Sequence, residues 1–334
     1  MKFSVILPTF HRPDDVSSFL ESMQNQKYKN FEIIIGDGSL DDSVKNVVEK
    51  FKASLNITYI YEKGIKASEA RNEACERAVG EFLVFIDSDC IVPSHYFSSI
   101  VDFLSKKEDV VAFGGADKAH KSFTPVQKAI SYAMTSIFTT GGIRGKKTSI
   151  EKFHLRGFNM GVRRDVFFEL GGFSKMQVAE DIDFSMRLYK AGYKAYYIPE
   201  AFVYHKRRDT LGKFRKQLTM HGKGRIDLFM RHKDSLKLIH FFPFFFILYL
   251  IVGILTILFN QIIFYIFIAS IVLYSLVLFI DALSQYKSLK VALLSVYASY
   301  IMLISYGLGF FQNFIKRIIL KKNTETEKKM ILRM

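Results

Sequence analysis

Residues 241–280 contain no Asp, Glu, Lys or Arg, and across 241–315 only Asp281, Lys287 and Lys290 interrupt an otherwise uncharged run. A hydrocarbon core of roughly 30 Å takes about 20 helical residues at 1.5 Å each. Two stretches of that length, 241–259 and 262–280, are separated by Asn260 and Gln261, a short polar break that suits a tight helical hairpin. A third uncharged stretch, 291–315, is more polar and contains Gly307 and Gly309. A chain with this block is neither a plain soluble protein nor a disordered one. The ordinary polar mix of the first 240 residues also excludes a pure channel or transporter. Three membrane-embedded helices are expected, the first two crossing the bilayer. Length favours a third crossing. The charge rule opposes it, because Lys316, Arg317, Lys321, Lys322, Lys328, Lys329 and Arg333 outnumber Glu325 and Glu327 and should stay cytoplasmic. In that case the third helix lies in the interface or re-enters.

The N-terminal part has a different rhythm. Short apolar runs at 3–7, 31–35, 57–61 and 82–86 are rich in Val, Ile, Phe and Tyr, as buried strands are. Between them lie helix-length segments at 13–26, 41–54 and 67–79, the first opening on Pro13-Asp14-Asp15 and the second on Asp41-Asp42. Alternation of this kind predicts an α/β domain on a mainly parallel sheet, with ligands outside the carboxyl ends of the strands. Residues 91–204 are more mixed and include Gly141-Gly142 and the basic run Arg144-Gly145-Lys146-Lys147, read as a mobile loop. Composition divides the chain into a catalytic domain over 1–235, a membrane region over 236–320 and a basic tail over 321–334.

Net charge is +15, and residues 205–240 concentrate it, with 11 Lys and Arg against three Asp. Because this stretch leads straight into the apolar block, membrane lipid is its expected partner. Nucleic acid is not, since no nucleic-acid motif accompanies the patch. Two cysteines, Cys75 and Cys90, are too few for a disulfide framework or a four-cysteine zinc site.

The motif with most chemistry closes the fourth apolar run, Phe85-Ile86-Asp87-Ser88-Asp89. In extended backbone, residues two apart point the same way, so two carboxylates at an exposed strand edge can share a hard cation with diphosphate oxygens. A bare Asp-x-Asp is common and by itself only a polar turn. Leu7-Pro8-Thr9-Phe10 and Gly36-Asp37-Gly38-Ser39 end the first two runs, where a base and ribose lodge, although Gly-Asp-Gly-Ser alone is also a tight turn. Arg71 in Ala70-Arg71-Asn72 sits near a helix start, suited to a base or phosphate or to open solvent. Glu180, Asp181 and Asp183 crowd three acids into four residues, and one of them near substrate can take a proton from an attacking hydroxyl.

Taken in order, Ser-Val-Ile-Leu-Pro-Thr-Phe, Gly-Asp-Gly-Ser, Ala-Arg-Asn, Phe-Ile-Asp-Ser-Asp and Glu-Asp-Ile-Asp-Phe resemble the family 2 inverting glycosyltransferases. Asn159-Met160-Gly161-Val162-Arg163-Arg164 and Gly171-Gly172-Phe173 resemble that family's acceptor half, and residues 304–310 resemble the tail of bacterial exopolysaccharide-type transferases. The resemblance covers residues 1 to about 230. It implies a GT-A (Rossmann-like) fold, a nucleotide-sugar donor of the UDP type, and Mg²⁺ or Mn²⁺. It implies Pro8, Thr9, Asp37, Arg71, Asp87 and Ser88 for the donor, Asp89 with Asp87 for the metal, and Asp181, beside Glu180, as base. His205, Arg208, Gln217 and Arg225 match a basic segment over the diphosphate, with Asn159, Gln217 and Arg225 toward the acceptor. Gly36 departs from the family, which usually has an Asp there. The absence of Gln-x-x-Arg-Trp argues against a processive cellulose- or chitin-type synthase. The expected activity is transfer to a lipid-linked or growing cell-surface glycan by an integral plasma-membrane enzyme with its catalytic domain in the cytoplasm.

Three rivals remain. A polyprenyl-phosphate monosaccharide synthase has an acceptor already ionised, which hardly needs a base. A catalytically silent nucleotide-binding protein would show a degraded Asp87, Asp89 or Asp181. A nucleotidyltransferase would want a glycine-rich loop after the first strand, where this chain has Phe10-His11-Arg12-Pro13.

Overall fold

The structure, a computed structural model, describes residues 1–107, 109–140 and 153–322; the basic run at Arg144–Lys147 and most of the tail lie outside them. It divides into two compact units, one of residues 1–123 and 140–207 and the other of residues 124–139 and 208–334. This differs from the compositional boundary at 235, because two segments from the polar part group with the apolar helices.

In the first unit the N-terminal run forms β1 (Phe3–Thr9), α1 (Pro13–Gln24), β2 (Phe31–Asp37), α2 (Ser43–Glu49), β3 (Ile57–Tyr61), α3 (Ala67–Glu76) and β4 (Phe82–Ile86). After it come β5 (Cys90–Ile91), α4 (Tyr96–Leu104), β6 (Ala112–Gly114) and β7 (Asp117–Lys118). The chain then leaves through α5 (Pro125–Thr135) and α6 (Ile137–Thr140), and the first unit resumes with β8 (Asn159–Arg163), α7 (Arg164–Glu169), α8 (Glu180–Lys190), β9 (Ala195–Tyr197) and β10 (Val203–His205). The main sheet has the order β3-β2-β1-β4-β8-β6-β9 and a small second sheet the order β5-β10-β7. Strands β3, β2, β1 and β4 are mutually parallel, and β8 enters antiparallel to both β4 and β6. Strands β1, β2 and β4 are buried along their whole length, which is why they read as unbroken apolar runs. Two clusters cover the sheet's faces, one built on Phe3, Val5, Phe19, Ile33 and Phe97 and the other on Ile6, Ile34, Leu83, Phe85 and Phe184.

The second unit contains α5, α9 (Leu211–Arg231), α10 (Phe242–Leu255), α11 (Gln261–Tyr286) and α12 (Leu289–Phe314), which continues into a π turn over Ile315–Ile319. Thr124 and Gln127 close a capping box on α5, and Asn260 accepts from the Ile262 and Ile263 amides to start α11. Three helical segments, Leu238–Leu258, Gln261–Tyr286 and Leu289–Ile319, are long and apolar enough to cross a membrane. Burial separates them: 11% of each of the first two apolar windows is buried, against 50% of the third. Helix α12 packs on α9 and α5 around Phe214, Leu218, Ile130, Ala133, Ala298 and Met302. Asp281 on α11 accepts from Ser136 Oγ and Gln285 Nε2, both at 3.3 Å, so this acid is hydrogen-bonded within the unit.

Candidate active site

The parallel register sets the site. Thr9 and Asp37 are paired positions at the carboxyl ends of β1 and β2, and β4, on the other side of β1, runs out into Asp87. Asp37 is buried; its Oδ1 accepts from the Ser39 amide (2.9 Å) and hydroxyl (2.6 Å), and its Oδ2 accepts from Tyr59 OH (2.6 Å). Beside it, Thr9 Oγ1 is buried with no hydrogen-bond partner among the described residues. A braced carboxylate next to an unsatisfied hydroxyl can receive a hydrogen-bonding ligand edge, since a buried hydroxyl left unpaired costs about 1–3 kcal/mol. Pro8 pairs with Gly36 one step back along the strands, and Ser88 is buried between the two acids of the Asp-x-Asp. Gly36 has a steric reason: a Cβ there would stand 2.9 Å from Ala70 O on α3.

The two acids of the Asp-x-Asp part company. Asp87 Oδ1 accepts from Arg71 Nη2 at 2.7 Å, and its side chain is 32% exposed. Asp89 is only 11% exposed, so it does not share the open strand edge that the sequence suggests. Arg12 Nη1 donates to Asp89 Oδ2, and His205 Nε2 stands 3.1 Å from Asp89 Oδ1 without the alignment of a hydrogen bond. Burial opposes the charge on Asp89, but His205 and Arg12 outweigh it and hold the carboxyl well below its usual range. Behind His205, Arg207 donates to Asp117.

Asp89, Cys90 and His205 bring ligand atoms within 4.8 Å of one another. A carboxylate oxygen and an imidazole nitrogen about 3 Å apart and unaligned have the spacing of neighbouring ligands on one divalent ion; the carboxylate suits Mg²⁺ or Mn²⁺, and the imidazole favours Mn²⁺ of the two. The Cys90 thiol is pushed up by burial and lies 3.8 Å from Phe158 O, so it is a bystander to a hard cation. The residues present therefore fit the ion.

The acid pair opens α8. Asp181 accepts from the Gly157 amide at 3.0 Å and from its own neighbour Ile182 at 2.8 Å, which fixes the carboxylate at a helix N-terminus. The Glu180 side chain is 16% exposed; burial first, and the Asp181 charge second, raise its carboxyl to about 7. Arg71 is buried and spans the site, giving Nη2 to Asp87 and Nη1 to Glu180 at 2.9 Å. The guanidinium expected on the nucleotide is thus committed to two acids.

Asn159 is also committed. Its Oδ1 accepts from Tyr96 OH (2.6 Å), and its Nδ2 donates to Ala116 O (3.1 Å) and Ala201 O (2.9 Å), which makes it a peg between β8 and its neighbours rather than an open acceptor contact. Arg208, Gln217 and Arg225 belong to the second unit. The first-unit cluster is built without them and includes Arg12, Tyr59, Asp117, Gly157 and Arg207, which motif reading passes over. Arg12 follows the Pro-Thr-Phe turn and Arg207 follows His205 by two, so position near a motif was the available signal.

A solved mannosyltransferase, PcManGT from Pyrobaculum calidifontis in complex with GDP-Man and Mn²⁺, shares this architecture at a TM-score of 0.67 over 94% of this chain and 87% of that one, at 15% identity. That is the GT-A class of glycosyltransferase. Within it the chain belongs to glycosyl transferase family 2, whose model matches residues 4–171, half of its length. A similar protein along almost its whole length is the dolichyl N-acetyl-alpha-D-glucosaminyl phosphate 3-beta-D-2,3-diacetamido-2,3-dideoxy-beta-D-glucuronosyltransferase of Methanococcus voltae, 25% identical over 94% of this chain and 97% of that protein. The GalNAc(5)-diNAcBac-PP-undecaprenol beta-1,3-glucosyltransferase of Campylobacter jejuni is 36% identical over 91 residues, 26% of this chain and 29% of its own.

Proposed function

We propose that this glycosyltransferase moves a sugar from a nucleotide-sugar, of the UDP type, to a lipid-linked or growing cell-surface glycan, with inversion at the anomeric carbon. The observation that carries the reading is the alignment of Asp37, Thr9 and Asp87 at the carboxyl ends of three adjacent parallel strands. Thr9 Oγ1 and Asp37 take the nucleoside, with Pro8 beneath it and Ser88 beside the diphosphate. Asp89 and His205 would hold Mg²⁺ or Mn²⁺, with Asp87 toward the same ion. Such an ion, when bound, offsets the charge gathering on the departing diphosphate. Asp181, oriented by the Gly157 amide, accepts the proton of the attacking acceptor hydroxyl. Glu180 and Arg71 set that carboxylate's surroundings. Acceptors named for the archaeal and Campylobacter relatives are lipid-linked, and the apolar helices here are long enough to hold the chain in a membrane where such an acceptor resides. The catalytic unit then works at the cytoplasmic face of the plasma membrane, where nucleotide-sugars are made.

The test is transfer by the purified full chain to a polyprenyl-diphosphate-linked glycan from a panel of UDP- and GDP-sugars. Acceptor-dependent UDP release, abolished by chelation, and a product of inverted configuration are expected. Turnover of GDP-sugars alone would overturn the donor class, and retained configuration the mechanism. Nucleotide binding without any transfer would return the protein to the silent, nucleotide-binding class.

A further inference from the structure

We propose that the chain crosses the bilayer twice, through α10 and α11 only, and that α12, with α9 against it, lies along the lipid–water interface with one apolar face on the lipid. Three observations within the second unit carry this.

The first is the company α12 keeps. Going up the chain, Gly222 of α9 meets the backbone at Tyr306 and Phe310, Gly309 of α12 meets the backbone of Thr219, and Asn313 Nδ2 donates to Lys223 O (2.8 Å) and Asp227 Oδ1 (3.1 Å). Arg317 then lies 3.4 Å from Asp227. Residue numbers rise together on both helices, so α9 runs parallel to α12 across the latter's second half. Lys213, Arg215, Lys216, Lys223 and Arg231 are exposed along α9. Exposed basic side chains spread from Lys213 to Arg231 are not accommodated in hydrocarbon, so the part of α12 beside them is not a span.

The second is the level at which α12 meets the hairpin. Its contacts on α10 are Phe246 with Tyr300 (ring centroids 5.8 Å apart), Phe244 with Phe311 (4.6 Å) and Phe241 with Phe310 (5.0 Å). From Tyr300 to Phe311 a helix advances about 16 Å. Over that distance the partners on α10 step back toward the hairpin's base instead of climbing to its tip. The upper hairpin is closed by its own rungs, Tyr249 against Phe267 and Gly253 against Phe267.

The third is exposure. Leu289, Leu293, Tyr297, Leu308, Phe311 and Ile319 are exposed at helical spacing, a single apolar stripe, while Ser295, Ser299, Ser305 and Asn313 are buried on the other side. A stripe of that kind beside an exposed basic helix fits acyl chains below and anionic headgroups around it.

Single-cysteine labelling tests the crossing number without assuming which way the catalytic unit faces. Cys75 and Cys90 are buried, so the background is silent to a membrane-impermeant maleimide. Phe259→Cys marks the hairpin tip, where the native side chain is 86% exposed, and Lys322→Cys marks the exposed residue beyond α12. Two crossings put the two labels on opposite sides of the membrane in sealed inverted vesicles and intact cells. Labels on the same side would overturn the proposal. Nitroxides at Leu293, Tyr297, Leu308 and Phe311 give an independent reading: one common depth is expected, whereas a span would separate Leu293 from Phe311 by about 27 Å.

Discussion

Replacing Arg71 by methionine removes the guanidinium that joins Asp87 to Glu180 while keeping most of its volume. Arg71 is 6% exposed at its side chain, Glu180 16% and Asp87 32%. Breaking a buried pair from one side costs about 3–5 kcal/mol, because the stranded charge keeps its desolvation penalty. Asp87 is exposed enough to rehydrate, so its share falls near the ~1 kcal/mol of a surface pair. Glu180, whose carboxyl is already raised to about 7, takes up a proton once Arg71 is gone, so the full loss of about 3–4 kcal/mol is expected only well above neutral pH and shrinks toward ~1 kcal/mol below it. If that partition is right, Glu180→Gln in the Arg71→Met background restores a large part of the stability, with a coupling of roughly 1–3 kcal/mol in the double-mutant cycle. The chain has no Trp, so urea unfolding of the detergent-solubilised protein is best followed by far-ultraviolet circular dichroism. UDP titration of the same samples separates the two roles open to Arg71. A bridge leaves UDP affinity within a few-fold of the parent. Unchanged stability together with lost UDP binding would show that the guanidinium faces the nucleotide, and the bridge would be wrong.

The other substitutions read the remaining groups one at a time. Asp181→Asn should lower turnover by the roughly 10²–10⁴-fold of a lost general base with donor binding intact, and Glu180→Gln should lower it less; the opposite order moves the base to Glu180. Asp89→Asn should abolish both the heat of Mn²⁺ binding in calorimetry and chelator-sensitive transfer, and full activity in EDTA would refute the metal assignment. Because the Glu180 carboxyl is raised to about 7 in the folded chain, its contribution favours folding at low pH and is lost as pH rises from about 4.5 to 7; Glu180→Gln should therefore lose less stability than the parent across that window in urea unfolding. Gly309→Ala drives a methyl into the Thr219 backbone and should destabilise by about 1–3 kcal/mol, with α9 becoming the first site of limited proteolysis; an unaltered digestion pattern would contradict the close approach.

The strands and helices of the first ninety residues were legible because each buried parallel strand is an unbroken apolar run and the first two helices between them open on Pro13-Asp14 and Asp41-Asp42. The positions of Asp37, Asp87, Asp89 and Asp181 at element ends were legible because each sits inside a short motif, but the alternation that should turn Asp87 and Asp89 the same way was overridden by Arg12 and His205 on Asp89 and Arg71 on Asp87. What could not be read depends on pairs far apart in the chain. Arg12 meets Asp89 across 77 residues and Arg207 meets Asp117 across 90, and neither arginine differs locally from a solvated one. Asn159 lies in a motif and still turned out to be a peg, since its three partners come from three other segments. The α5 start signal, Thr124-Pro125 with Gln127, is visible in the sequence. Nothing in its composition says that the helix leaves one core to join another. The level of α12 was hidden for the same reason: hydropathy reports what a helix tolerates, and the register with α9 reports where it rests.

The departure of α5 changes how this protein can be divided. Residues 124–139 leave the sheet unit in mid-chain and residues 140–207 return to it, so the two units are joined by three covalent passages rather than one. Cutting the chain after Arg207 or near residue 235 does not release a self-contained soluble enzyme. The first cut leaves Ile130, Ala133 and Met134, which are buried with residues of α9 and α12, as a bare apolar patch on the fragment; the second keeps α9 but still strips away Ala298, Met302 and Leu303 of α12. A water-soluble catalytic fragment would need the loop excised at Thr124 and Thr139 and bridged by a polar linker. Proteolysis at a single junction will likewise fail to separate the sheet from the apolar helices, and both pieces should fractionate together.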